Sequence, residues 1–221
     1  MRWENEGNGR FTLYQGDLAV LTAYARASDL AGRTVDTRDA RQTSEELTLS
    51  RDERCDDIFF SGEDGLMLRE TLRASDDRAY ARCTLYSSDG QAIESNDLVP
   101  LIMCAKSDES PYMWRGLQAK ILQIPYDNDM WSRYEAVGFR AGRKSADMTV
   151  LISEETREGI LIGAVEFDIW KNAIACSGFD CRRLSIQLIR MMSRIRSGRS
   201  GQPEKRSFIS TGDSRISKSI L

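Results

Sequence analysis

Between residues 123 and 136 the chain reads QIPYDNDMWSRYEA, which sets Asp127, Asn128 and Asp129 just ahead of Trp131, Arg133 and Tyr134. Side-chain oxygens in a tight turn beside flat aromatic faces are groups with which a protein holds a sugar or a calcium ion. A calcium loop of the twelve-residue kind is excluded, because its glycine and its terminal glutamate are absent from their positions. The plainer reading is an Asx-type turn between two strands, with Trp131 capping a core.

A second stretch, GILIGAVEFDIW (159 to 170), turns from an apolar run into Glu166, Asp168 and Trp170. On one strand these three share a face, since side chains alternate sides with a period of two. Carboxylates two residues apart on a strand stand about 6 to 7 Å apart at the Cα, from a rise of roughly 3.3 Å per residue. Paired carboxylates at comparable separations act as acid and base on a glycosidic bond. The same alternation is what a half-exposed strand end looks like, with Lys171 at hand to neutralise the pair. On that reading Glu166 and Asp168 are boundary residues, not catalysts.

The chain has no histidine. The usual base near neutral pH, the commonest zinc ligand and every Ser-His or Cys-His pairing are therefore unavailable. GEDG (62 to 65) and GRKS (142 to 145) are short glycine turns, and neither fits a phosphate-cradling loop. The five cysteines, Cys55, Cys83, Cys104, Cys176 and Cys181, follow no CxxC spacing. Cys83 and Cys104 read as buried free thiols in strands, and Cys176 and Cys181 are close enough to close a small loop in an oxidising compartment. No cofactor and no metal are expected.

The elements that must position these residues are mostly strands. RFTLYQ, DLAVLTAYA, GLMLRETL, AYARCTLYS, LVPLIMC, AKILQIP, DMTVLI and GILIGAVEFD recur between Gly, Asp, Ser and Pro, the pattern of an all-β antiparallel sandwich. Residues 27 to 46 and 51 to 57 are polar and read as loops or edge structure. Asp89-Gly90, between two apolar runs, signals a hairpin turn. In RLSIQLIRMMSRIR (183 to 196), Leu184, Leu188, Met191, Met192 and Ile195 fall on one helical face. The expected division is a β-sandwich over 1–178 and, over 179–221, a basic amphipathic helix with a disordered tail.

The net charge of -3 conceals an asymmetry: from Arg182 onward ten basic residues face two acidic ones, which leaves the preceding body at -11. An acidic body argues against nucleic acid as a partner, because phosphate neutralisation needs clustered Lys and Arg. The basic helix could lie on an anionic membrane or pack on the sandwich. No apolar stretch is long enough to cross a membrane as a helix, and MRWENEGNGRF lacks the features of a signal peptide. The chain reads as cytoplasmic or as a piece of a longer protein.

Taken together, LQIPYDNDMWSRYEA (122 to 136) and EETREGILIGAVEFDIWKNAI (154 to 174) resemble the non-catalytic N-terminal β-sandwich region of α-galactosidase-like glycoside hydrolases. The matching residues are Pro125, Asp127, Asn128, Asp129, Trp131, Arg133 and Tyr134, then Gly159, Ile162, Gly163, Val165, Glu166, Asp168, Trp170, Lys171 and Ile174. The match covers roughly residues 115 to 175. Phe167 stands where the family usually has histidine, and Asn172-Ala173 replaces its Thr-Gly, so a role that needs that imidazole or turn does not carry over.

The resemblance implies a sandwich that packs on a (β/α)8 barrel holding the catalytic aspartates, and longer relatives that are secreted. The stretch after Ile174 leaves no room for such a barrel, so the chain is expected to be a truncated or standalone portion that hydrolyses nothing alone. It also implies sugar contact through Asp127, Asp129, Trp131 and Trp170. Two competitors stand beside this: a non-enzymatic interaction protein that uses its basic C-terminal segment, and an independent enzyme that uses Glu166 and Asp168.

Overall fold

The computed structural model describes residues 1–50, 53–89, 93–104, 119–125, 135–138, 144–154, 157–165, 170–177, 185–192 and 210–220. In chain order the strands are β1 (Arg2–Asn5), β2 (Phe11–Gln15), β3 (Leu18–Asp29), β4 (Thr34–Asp36), β5 (Arg41–Leu49), β6 (Arg54–Ser61), β7 (Leu66–Ala74), β8 (Arg78–Ser87) and β9 (Ser95–Cys104). They continue as β10 (Ala119–Gln123), β11 (Glu135–Gly138), β12 (Lys144–Ala146), β13 (Met148–Ser153), β14 (Glu158–Ala164), β15 (Trp170–Ser177), β16 (Ser185–Met192) and β17 (Ser210–Ile220).

Among the described residues these strands form two antiparallel sheets. One has eight strands in the order β1-β2-β3-β9-β16-β15-β12, with β4 beside β3. The other has nine in the order β11-β10-β13-β14-β17-β8-β7-β6-β5. The all-β sandwich expected from the strand spacing is what the chain forms.

Period-two patterning explains the packing. Leu13, Leu21, Ala23, Ala25 and Ala27 of the eight-stranded sheet are buried, as are Ile58, Phe60, Leu68, Leu72, Ala79, Ala81 and Leu85 of the nine-stranded one. All belong to one core. Phe11 meets Phe60 edge to face, ring centres 6.1 Å apart, which fastens one sheet to the other. Trp3 lies in the same core and its indole N–H donates to the Arg73 carbonyl at 3.2 Å, so its one polar atom is paired. Each such large apolar side chain contributes about 1.5 to 3 kcal/mol on burial.

Several elements differ from the sequence reading. Residues 185–192 are strand β16, paired with β9 and β15, where a basic helix was expected. Residues 210–220, expected in a disordered tail, are strand β17 between β14 and β8. The physical reason is long-range: each strand satisfies the backbone of two neighbours, and a short apolar run has no periodicity that separates helix from buried strand. The hairpin expected at Asp89-Gly90 is a crossing between sheets, since β8 pairs with β7 and β17 whereas β9 pairs with β3 and β16. Within 27–46, β5 is an exposed edge strand, the second of the two forms expected there. Among the described residues no helix is long and apolar enough to cross a membrane.

Candidate functional site

Asp127, Asp129 and Trp131 lie outside the described residues, as do Glu166, Asp168 and Cys181. Trp170 opens β15 with its backbone opposite Met192 of β16. What is described is the framework around both segments. The 127–131 segment runs between β10 and β11, which pair antiparallel with Gln123 opposite Glu135. The 159–170 stretch is not one strand: β14 ends at Ala164 in one sheet and Trp170 begins β15 in the other. The expectation that Glu166, Asp168 and Trp170 share one strand face falls on residues outside the described ones, apart from the backbone of Trp170 at the start of β15.

The stems of these two segments meet at the corner between β12 and β13. The Ile124 N–H donates to Ser145 Oγ at 2.9 Å, and that hydroxyl donates to the Met148 carbonyl at 2.6 Å. The Ala146 N–H donates to the Ile124 carbonyl at 2.9 Å, and the Thr149 hydroxyl to the Leu122 carbonyl at 2.6 Å. On the other side, the Asp147 N–H donates to the Asn172 carbonyl at 3.3 Å and the Ala164 N–H to the Asp147 carbonyl at 2.8 Å. Asp147 has φ 57°, a left-handed conformation that Asp tolerates better than most residues. Ser145 and Thr149 are fully buried, so these bonds are shielded from water. One small corner thus holds the exit of β10, the exit of β14 and the entry of β15.

A second polar site lies on the nine-stranded sheet, on the face turned away from the core. Thr71 stands opposite Arg82 and Arg73 opposite Tyr80 across β7 and β8. Because Leu72, Ala79 and Ala81 point into the core, these four side chains point outward. With Glu53 and Val165 they line a cleft of about 260 Å³. Val165 follows Ala164, so the cleft opens beside the corner just described.

Neighbours tune this face. Thr71 hydrogen-bonds Asp57, its partner on β6. Burial pushes the Cys55 thiol up, against the opposing pull of a hydrogen bond with Arg73. Burial likewise raises the Tyr86 phenol, with Arg69 acting in the other direction. Further along, Arg69 stands opposite Thr84, and Arg69 Nε and Thr84 Oγ1 are buried with no hydrogen-bond partner among the described residues. Cys83, on the inner face of β8, is buried, as expected of it, and forms no disulfide. Sequence reasoning passed over the cleft. Its signal was the outward set Arg69, Thr71, Arg73 and Tyr80, Arg82, Thr84 at every second position, which reads as ordinary solvated strand until two strands bring the guanidinium groups together.

No protein-family model matches the chain, and no curated protein sequence matches it significantly. Solved structures do share its fold. An α-N-acetylgalactosaminidase from Bifidobacterium bifidum superposes with a TM-score of 0.62 at 7% identity, over 100% of this chain and 36% of that one. A β-arabinopyranosidase gives 0.58 at 12% identity over 99% and 38%. An α-galactosidase from Lactobacillus brevis gives 0.52 at 11% identity over 89% and 29%. The chain thus spans little more than a third of the first two and less than a third of the last. At these identities the likeness concerns the fold, and the fold is that of one portion of larger glycoside hydrolases.

Proposed function

We propose that this chain is the non-catalytic β-sandwich portion of an α-galactosidase-like glycoside hydrolase, one that packs against a catalytic barrel and contacts sugar through Asp127, Asp129, Trp131 and Trp170. The observation that carries the reading is the β12–β13 corner: the two segments that hold those residues, far apart in sequence, have their stems tied to the same few hydrogen bonds. A scaffold that ties the stems of two segments to one corner supports a binding surface preorganised on rigid strands. The partial span of the larger glycosidases by this fold points the same way.

The test uses the purified chain. No turnover of nitrophenyl α-galactoside is expected. Galactose oligosaccharides should quench its tryptophan fluorescence saturably, and Trp131→Ala combined with Trp170→Ala should remove that quenching. Turnover abolished by Asp168→Asn would make the chain an enzyme in its own right, and absence of any quenching would end the sugar-contact reading.

A further inference from the structure

We infer that Asn8-Gly9, in the turn between β1 and β2, is a site of spontaneous conversion of asparagine to isoaspartate, and that the conversion releases this turn from Thr37. The inference is independent of the proposed sugar contact, since it uses only the turn and its neighbours.

Asn8 is exposed, and the residue after it is a glycine with φ 71°. Its side chain folds forward along the chain: the Arg10 N–H donates to Asn8 Oδ1 at 3.2 Å, an Asx turn. That turn holds the side-chain amide on the side of its own following peptide, and glycine puts no Cβ in the way of ring closure. Among the described residues no hydrogen bond holds the Gly9 N–H. Asn5 is the internal contrast. Its Oδ1 accepts the Gly7 N–H at 3.0 Å in the same kind of turn, but its Nδ2 donates to Gln42 Oε1 at 3.2 Å and to Glu45 Oε2 at 2.7 Å, and the next residue is Glu6. Asn172 is buried in β15. Among these three asparagines, Asn8 alone combines exposure with a following glycine.

The reaction is an intramolecular acyl transfer. The Gly9 nitrogen gives its proton to solvent and bonds to Asn8 Cγ, closing a five-membered ring whose atoms the chain already holds together. Negative charge develops on Oδ1, where the Arg10 N–H already donates, so that bond strengthens as the charge grows. The Cγ–Nδ2 bond then breaks, and the nitrogen leaves as ammonia with a proton from solvent. Water opens the ring at either carbonyl, giving aspartate or isoaspartate. Across both steps an amide and a water become a carboxylate and an ammonium ion, and nothing is oxidised or reduced.

The position of Gly9 sets the consequence. Gly9 is buried, its carbonyl accepts the Thr37 hydroxyl at 2.6 Å, and the same hydroxyl accepts the Ala25 N–H at 3.1 Å. A Cβ on Gly9 would lie 1.8 Å from the Thr37 carbonyl oxygen, so the fit leaves no slack. Isoaspartate routes the main chain through Cβ, one carbon longer, and adds a negative charge. Gly9 cannot then keep both its place against Thr37 and the bond that closes the turn, from the Glu6 N–H to the Arg10 carbonyl at 2.9 Å.

Ageing the full chain for weeks in neutral buffer, beside a synthetic peptide of residues 3–10, tests this. Trypsin cuts after Arg2 and Arg10, so one fragment, WENEGNGR, carries Asn5 and Asn8 together. Mass spectrometry with electron-transfer fragmentation should find conversion at Asn8 at least tenfold faster than at Asn5, and in the folded chain within tenfold of the peptide's rate. Isoaspartyl methyltransferase should methylate this fragment of the aged chain, and Asn8→Ser should lose that signal. The converted chain, separated by ion exchange, should unfold at lower urea than the fresh chain. A folded-chain rate at Asn8 more than tenfold below the peptide's would overturn the proposal, as would a rate at Asn5 within tenfold of that at Asn8. An unchanged urea midpoint in the converted chain would overturn the release from Thr37.

Discussion

The strands from β1 to β9 and the two strands β16 and β17 are built on opposite principles. In the first group most strands announce themselves: β3 and β7 bury alternate residues, and β8 shows Ala79, Ala81, Cys83 and Leu85 inward against Tyr80, Arg82 and Tyr86 on the other face. Their amphipathic pattern and their place in a sheet agree. In the second group local sequence says little: SIQLIRMM has a spacing that also suits a helix, and STGDSRISKSI is largely polar. Yet these strands occupy interior positions, β16 between β9 and β15 and β17 between β14 and β8. Strand formation there is dictated by the exposed backbone groups of two neighbours, which would otherwise be bare sheet edges. The least strand-like segments close the sheets that the most strand-like ones begin.

The sharpest way to break this comparison is to remove residues 179–221. A dispensable tail would leave stability nearly unchanged, whereas loss of an interior strand from each sheet should abolish cooperative unfolding, a cost comparable with the whole stability of a domain, about 5 to 15 kcal/mol. Thermal melts followed by far-ultraviolet circular dichroism distinguish the two. A smaller effect is expected at Phe60, fully buried against Phe11 between the sheets. Phe60→Ala should cost about 3 to 5 kcal/mol, read from the urea midpoint at unchanged slope.

Smaller again is Gly9→Ala. Gly9 has φ 71°, and a Cβ there would come within 1.8 Å of the Thr37 carbonyl oxygen. Thr37 in turn is buried and donates its hydroxyl to the Gly9 carbonyl at 2.6 Å. The substitution therefore combines a left-handed backbone with displacement of the β4 exit, and should cost about 2 to 3 kcal/mol. It probes the well-patterned half of the molecule where a loop, not a strand, does the locking.

These contrasts define what could be read in advance. Strands whose apolar residues alternate, such as Leu66 to Ala74, were legible because burial follows local period. The sheet to which each belonged was not, so Asp89-Gly90 read as a hairpin although it joins different sheets. The 159–170 stretch was legible as a strand as far as Ala164, where β14 ends. That Trp170 belongs to the opposite sheet depends on pairing with β16, which no local pattern encodes. The resemblance carried by 122–136 and 154–174 was readable as residues, but the common anchorage of their stems rests on Ser145 and Asp147, small polar residues with no signature of their own. Arg73 and Arg82 became a pair only through register.

The smallest effect concerns the turn between β3 and β4, within the polar stretch 27 to 46. Asp29 is buried, and accepts the Arg33 backbone N–H at 2.8 Å and the Arg33 Nε–H at 2.6 Å. Burial alone would raise its carboxyl, but the hydrogen bonds and charge of Arg33 outweigh it and hold the group below the ordinary carboxylate range. A carboxyl with a depressed folded-state pKa contributes stability that is fully present above its unfolded value, near 3.9, and is lost as pH falls through the folded value. Because the Arg33 side chain is 42% exposed, solvent screens the pair and its contribution is about 1 kcal/mol. Asp29→Asn should therefore lower stability by about that amount at pH 7 and flatten the acid limb below about pH 4, leaving both proteins equally stable at pH 2. Urea midpoints across that range check it. A difference that persists unchanged to pH 2 would assign the role of Asp29 to shape, with its charge irrelevant.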